Sequence, residues 1–184
     1  MVEINCPPDC PHLAGNMFHR VKALNALLTA AADPGEARDF AEAVQTYLPF
    51  MQFLESSLVD WLPDLKTVTD REAGEALRLL RASYETEARG LFFQESSPNP
   101  LVQALIRHLR AEIERLREGR EDGEERLPIR PEWIAKALRG MEIELAHYAS
   151  THSDSPQAYL SMLWRAYPGR RAAKGGSGLI LASS

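Results

Sequence analysis

The densest chemistry in the chain is its beginning, Cys6-Pro7-Pro8-Asp9-Cys10-Pro11-His12. Both cysteines of the 184-residue protein sit there, and an imidazole follows two positions after the second. Thiolates and imidazoles are good ligands for zinc and copper, and prolines limit the conformational freedom lost on binding. Cys6, Cys10 and His12 supply three donors, and a closed tetrahedral site requires a fourth. His19 is the nearest candidate; Asp9 is the harder, less suitable one. Zinc, copper or iron are the metals this set points to, although two cysteines cannot give one chain the four thiolates of an iron–sulfur cluster. The same two thiols also suit a redox pair. The alternative is an inert, structural N-terminal segment.

The six residues Cys6 to Pro11 resemble the Cys-x3-Cys-Pro copper motif of the Sco family. Sco proteins are thioredoxin-like, whereas this chain lacks the strand-helix-strand pattern that would place such a loop, so the resemblance carries no function over. His108-x3-Glu112 and Glu144-x2-His147 are similar to the spacings of hemerythrin-like and ferritin-like iron proteins, respectively. Against an iron bundle, Met51 stands where a histidine four residues before Glu55 would be needed. His19, His108 and His147 also lie off the apolar stripes, while core ligands must point inward.

Those stripes define the elements. Residues 16–32 open on Asn16, a good N-cap, and space Met17, Val21, Leu24, Leu28 and Ala31 at helical intervals. A longer stripe, Phe40, Val44, Tyr47, Met51, Leu54, Leu58 and Trp61, keeps its phase across Pro49, which predicts one kinked helix over 36–62. Thr69 and Glu72 form a capping-box signature for a third helix, whose inward positions run Ala73, Leu77, Leu80, Tyr84, Ala88 and Leu91. Asn99-Pro100 starts a fourth, with Val102, Ile106, Leu109, Ile113 and Leu116 inward and Arg110, Glu114 and Glu118 on the wet face. Pro131 opens a fifth, with Ile134, Leu138, Met141, Leu145 and Tyr148. Ser155-Pro156 opens a short sixth, with Tyr159, Leu160, Leu163, Trp164 and Tyr167.

No segment alternates with strand period. The fold expected is all-α, a largely antiparallel helix bundle of five main helices plus a short C-terminal helix. Three regions follow: an N-terminal Cys/Pro/His segment over 1–15, a bundle over 16–168, and a flexible basic, Gly/Ser-rich tail over 169–184. Gly119 to Arg126 contains no apolar residue and reads as a charged connector between halves of the bundle.

Hydrophobic content of 45% and charged content of 26% are ordinary for a globular chain. The net charge of −5 hides an asymmetry, because no acid follows Asp154. Setting Arg165, Arg170, Arg171 and Lys174 aside leaves 17 of the 21 basic residues against 26 acids in residues 1–154. That balance disfavours nucleic acid as a partner. No apolar run approaches the roughly 18 residues of a membrane span. The first residues also lack a signal-peptide pattern, so a cytoplasmic address is the expectation, with reduced thiols.

No nucleophile elbow, phosphate loop or His-Glu-x2-His occurs, and Ser56 and Ser57 have no histidine in sequence reach. The assigned stripes contain no charge, so no buried acid or base is expected within the bundle. Leu91-Phe92-Phe93, Trp133 and Trp164 remain: packing beneath the sixth helix is their expected use, a partner surface the other. The function expected is therefore non-enzymatic binding, an adaptor holding a protein partner or a second copy of the chain. Its rival is a metal-binding or thiol-redox protein working through Cys6-x3-Cys10-x-His12.

Overall fold

The computed structural model describes residues 34–62, 68–93, 95–118 and 129–167. Segment 1–15, the helix expected over 16–32, the charged connector and the tail 169–184 lie outside the described residues. Within them the chain is all-helical: α1 (Pro34–Trp61), α2 (Asp70–Ala88), α3 (Pro100–Glu118), α4 (Pro131–Thr151) and α5 (Ala158–Ala166).

Local chemistry sets most of the boundaries. Proline suits a first helical turn, where its missing N–H has no intrahelical acceptor to lose, and α1, α3 and α4 all begin on one. The helix α1 continues through Pro49 as a single element. At the head of α2 the capping box forms as expected. Thr69 N–H donates to Glu72 Oε2 at 2.8 Å, and Glu72 N–H donates to Thr69 Oγ1 at 3.3 Å. Ahead of α3, Asn99 Oδ1 accepts from Leu101 N–H at 3.0 Å.

The predicted stripes converge on one core. Met51, Leu54, Leu58, Leu77, Leu80, Leu109, Ile113, Ile134, Leu138 and Met141 are all buried. The pair α2 and α4 is antiparallel, since Gly74 faces Leu145 while Arg81 bonds Glu142. The pair α2 and α3 runs parallel. Asn99 Nδ2 reaches Glu72 near the start of α2, whereas Arg117 pairs with Glu87 near its end. Between them the chain runs back along α2, with Ser97 Oγ donating to Glu75 and Glu95 N–H donating to Ser83 Oγ. An extended strand covers about 3.3 Å per residue against 1.5 Å for a helix, so Arg89 to Asn99 suffices to retrace most of α2.

This arrangement overturns the expectation of a core without charge. Glu55, Asp70 and Glu144 are all buried, with Ser56, Ser57 and Ser83. The apolar stripe on α1 marks one face, but α1 meets α3, α4 and α5, so residues flanking the stripe are enclosed as well. On the outer face assigned to α3, Glu118 is exposed as expected, whereas Glu114 sits at the margin with α2. Glu114 accepts from the Tyr84 hydroxyl at 3.1 Å and from Arg117 Nη1 at 3.0 Å. Burial, reinforced by the Glu114 charge, drives the Tyr84 phenol far above its ordinary range.

Asp70 joins α2 to α5. Its Oδ2 accepts from Tyr159 N–H at 2.8 Å and its Oδ1 from Leu160 N–H at 3.0 Å, while its own N–H donates to the Pro156 carbonyl at 2.8 Å. Gln157, the N-cap of α5, makes no side-chain cap of its own. Asp70 thus satisfies the first-turn donors of a helix distant in sequence. At the other end of α5 the Tyr167 hydroxyl donates to Glu55 Oε2 at 2.7 Å.

Candidate interaction site

Of the residues singled out for metal chemistry, Cys6, Cys10, His12 and His19 lie outside the described residues. The structure does not bring the histidine–carboxylate spacings together. His108 Nε2 lies 2.9 Å from the Ser57 carbonyl, which can only accept, so the ring donates there; Glu112 pairs with Arg115. On α4, Glu144 is buried while His147 is half-buried, its pKa drawn below the ordinary value mainly by burial and pulled back by the Glu144 charge. Among the described residues no three His, Cys, Asp or Glu side chains group closely enough to hold a metal ion. The Ser56 hydroxyl is engaged by the Phe53 carbonyl of its own helix at 2.8 Å.

Two surface features concentrate at the C-terminal half of α2. The first is an open trough of about 780 Å³ between α1, α2 and α4, lined by Asp39, Glu42, Arg81, Glu85, Lys136 and Arg139 among others. Its charges are largely matched internally. Arg81 bonds Glu85 and, at 2.6 Å, Glu142, and Lys136 bonds Glu42. A ligand entering the trough would have to replace those pairs.

The second feature is Leu91-Phe92-Phe93, where the structure corrects the expectation of burial beneath the last helix. Leu91 is 61% exposed, Phe92 93% and Phe93 59%. Helix α2 stops at Ala88, so Leu91 is not on its inward stripe. Gly90 has φ of +77°, a left-handed conformation that turns the chain away from the helix axis. The backbone is held on both sides of the strip. Gly90 N–H donates to Glu87 O at 2.8 Å, Leu91 N–H to Thr86 O at 3.1 Å, and beyond the strip Glu95 N–H donates to Ser83 Oγ at 3.1 Å.

One sequence signal could have located this strip. A glycine just after the last periodic residue ends helices, and Gly90 follows Ala88 by two positions. The other aromatics behave differently. Trp164 packs against the core, and Trp133 is 38% exposed with Tyr47 6.3 Å from its ring and the Arg130 guanidinium 5.6 Å away.

Strip and trough occupy different faces. At 100° per residue, Arg81, Glu85 and Ala88 project together from α2, while Ser83 and Thr86, which hold the strip, project well over a quarter-turn away. The described residues thus form an all-α bundle that buries Glu55, Asp70 and Glu144 and displays an apolar strip. Compared with known proteins, the chain matches no family model, no curated protein and no solved structure.

Proposed function

We propose that this chain is a non-enzymatic helical binding or adaptor protein that holds a protein partner through Leu91-Phe92-Phe93. One observation carries the proposal: three consecutive large apolar side chains stand in solvent on a backbone fixed at both ends. Scattered exposed apolar residues are normal, whereas a contiguous patch favours a contact surface. Aromatic anchors also dominate the energetics of protein interfaces. A preordered backbone adds to affinity, because less conformational entropy remains to be lost on binding.

The test is a comparison of the full chain with Phe92→Glu/Phe93→Glu as immobilised bait in extract from the organism of origin. The proposal expects a discrete set of proteins retained by the wild type and lost from the variant, at unchanged thermal stability. Identical retention by both would refute it. Elemental analysis of the same preparation bears on the rival. Near-stoichiometric zinc, copper or iron that disappears in Cys6→Ser/Cys10→Ser would move the functional centre to the N-terminal segment.

A further inference from the structure

Resting on that reading of the strip, we infer that the protein supplies a projecting knob, and that its occupant is a partner protein with a preformed apolar cleft, not a second copy of this chain. Phe92 is 93% exposed, so the described residues shield almost none of its ring. A side chain that far out of the surface is buried only by insertion into something concave.

Area points the same way. An aromatic side chain buries on the order of 150–250 Å². At the exposures of Leu91, Phe92 and Phe93, the strip offers about 400 Å², half of the ~800 Å² per partner of a standard interface. Strip pressed against strip would fall in the range of crystal packing contacts. Binding through so small a footprint relies on depth, a ring taken into a pocket, more than on breadth.

The trough between α1, α2 and α4 does not supply the complementary half. It is walled by paired charges, with Ala88 and Ala135 among the apolar lining, which suits a phenyl ring poorly. Gly90 and Ser83 act as positioning residues: the first sets the angle at which the chain leaves α2, and the second ties the strip's far end back to that helix.

The experiment uses the purified full chain with the Phe92 and Tyr159 rings isotope-labelled, titrated with β-cyclodextrin, whose apolar cavity accepts a single phenyl ring. Sedimentation velocity over rising protein concentration runs in parallel. The inference expects a saturable shift of the Phe92 ring signals while Tyr159, which is fully buried, does not respond, and a monomer throughout. A Phe92 ring that ignores the cyclodextrin while free phenylalanine in the same tube responds would overturn it. A dimer that Phe92→Glu dissolves would also overturn it, by making the strip a self-interface. The two failures are distinguishable. A clean monomer with an enclosable ring and no partner in the bait experiment defeats the adaptor function and, with it, the occupant assigned to the knob. Specific retention with an unresponsive ring defeats only the knob.

Discussion

The two ends of α2 are built on opposite principles. At its N-terminal end, Thr69 and Glu72 close a capping box, and Asp70 binds the first turn of α5 with both carboxylate oxygens. At its C-terminal end, Gly90 turns the chain outward and the next three residues are apolar and bare. Donors left unpaired in the interior are costly, and the first end removes that cost. The second end leaves a different cost standing, that of apolar surface in water. One end holds the bundle together, and the other is available for contact.

The largest stability effect expected is at the buried end. Asp70→Ala leaves the Tyr159 and Leu160 amides unpaired in a closed environment and is expected to cost about 2–4 kcal/mol in urea unfolding, with the response of Phe92 to cyclodextrin unchanged. A loss below about 0.5 kcal/mol would show that Asp70 does not anchor α5.

Next comes the α1–α4 contact. A Cβ on Gly140 would sit 2.9 Å from the Ala43 Cβ and 2.9 Å from the Met51 Cε. Gly140→Ala should therefore cost about 1–3 kcal/mol through overpacking. Gly74→Ala meets only an ordinary 3.4 Å contact with Leu145 and should gain about 0.5–1 kcal/mol from helix propensity. Equal effects of the two substitutions on the unfolding midpoint would contradict this account of the packing.

At the exposed end the sign of the comparison reverses. Phe92→Glu should alter stability by less than about 0.5 kcal/mol while removing partner retention. A Phe92→Glu variant that unfolds substantially earlier would show that the ring is packed in solution.

Smallest is the pH effect, in which neighbouring carboxylates oppose each other. Hydrogen bonds led by the Thr69 amide pull the Glu72 pKa below its ordinary 4.5, so its contribution is present above pH 4.5 and is lost as pH falls through the lowered folded value. Burial raises the Asp70 pKa above 3.8 despite its backbone hydrogen bonds. The contribution tied to that shift is therefore complete below pH 3.8 and is lost as pH rises through the raised folded value. Thermal melts from neutral to acid pH should show the gap between wild type and Glu72→Gln closing as pH falls. A gap that widens would reverse the assignment.

These contrasts also mark what sequence could convey. Caps are local chemistry, so Thr69 with Glu72, Asn99-Pro100 and Pro131 placed helix starts correctly, and the stripes identified Leu54, Leu77, Leu109 and Leu138 as core. The burial of Glu55, Asp70 and Glu144 depends on which helices enclose α1, α2 and α4, a long-range property that periodicity along one helix does not encode. The parallel course of α3 depends on hydrogen bonds such as Ser97 to Glu75, between residues far apart in the chain. The strip was visible as Leu91-Phe92-Phe93, but extending the α2 stripe through Gly90 turned it inward. The glycine, with its positive φ, decides the matter.

The most direct test of the contact end is site-specific photo-crosslinking in living cells of the source organism. A photoreactive side chain replaces Phe92 in one strain and Arg107, an exposed residue of α3, in another. The account predicts an adduct of defined mass between this chain and a different protein at position 92, absent at 107 and lost when Phe93→Glu is added. Adducts that are equal at the two positions, or that join only copies of this chain, would contradict it.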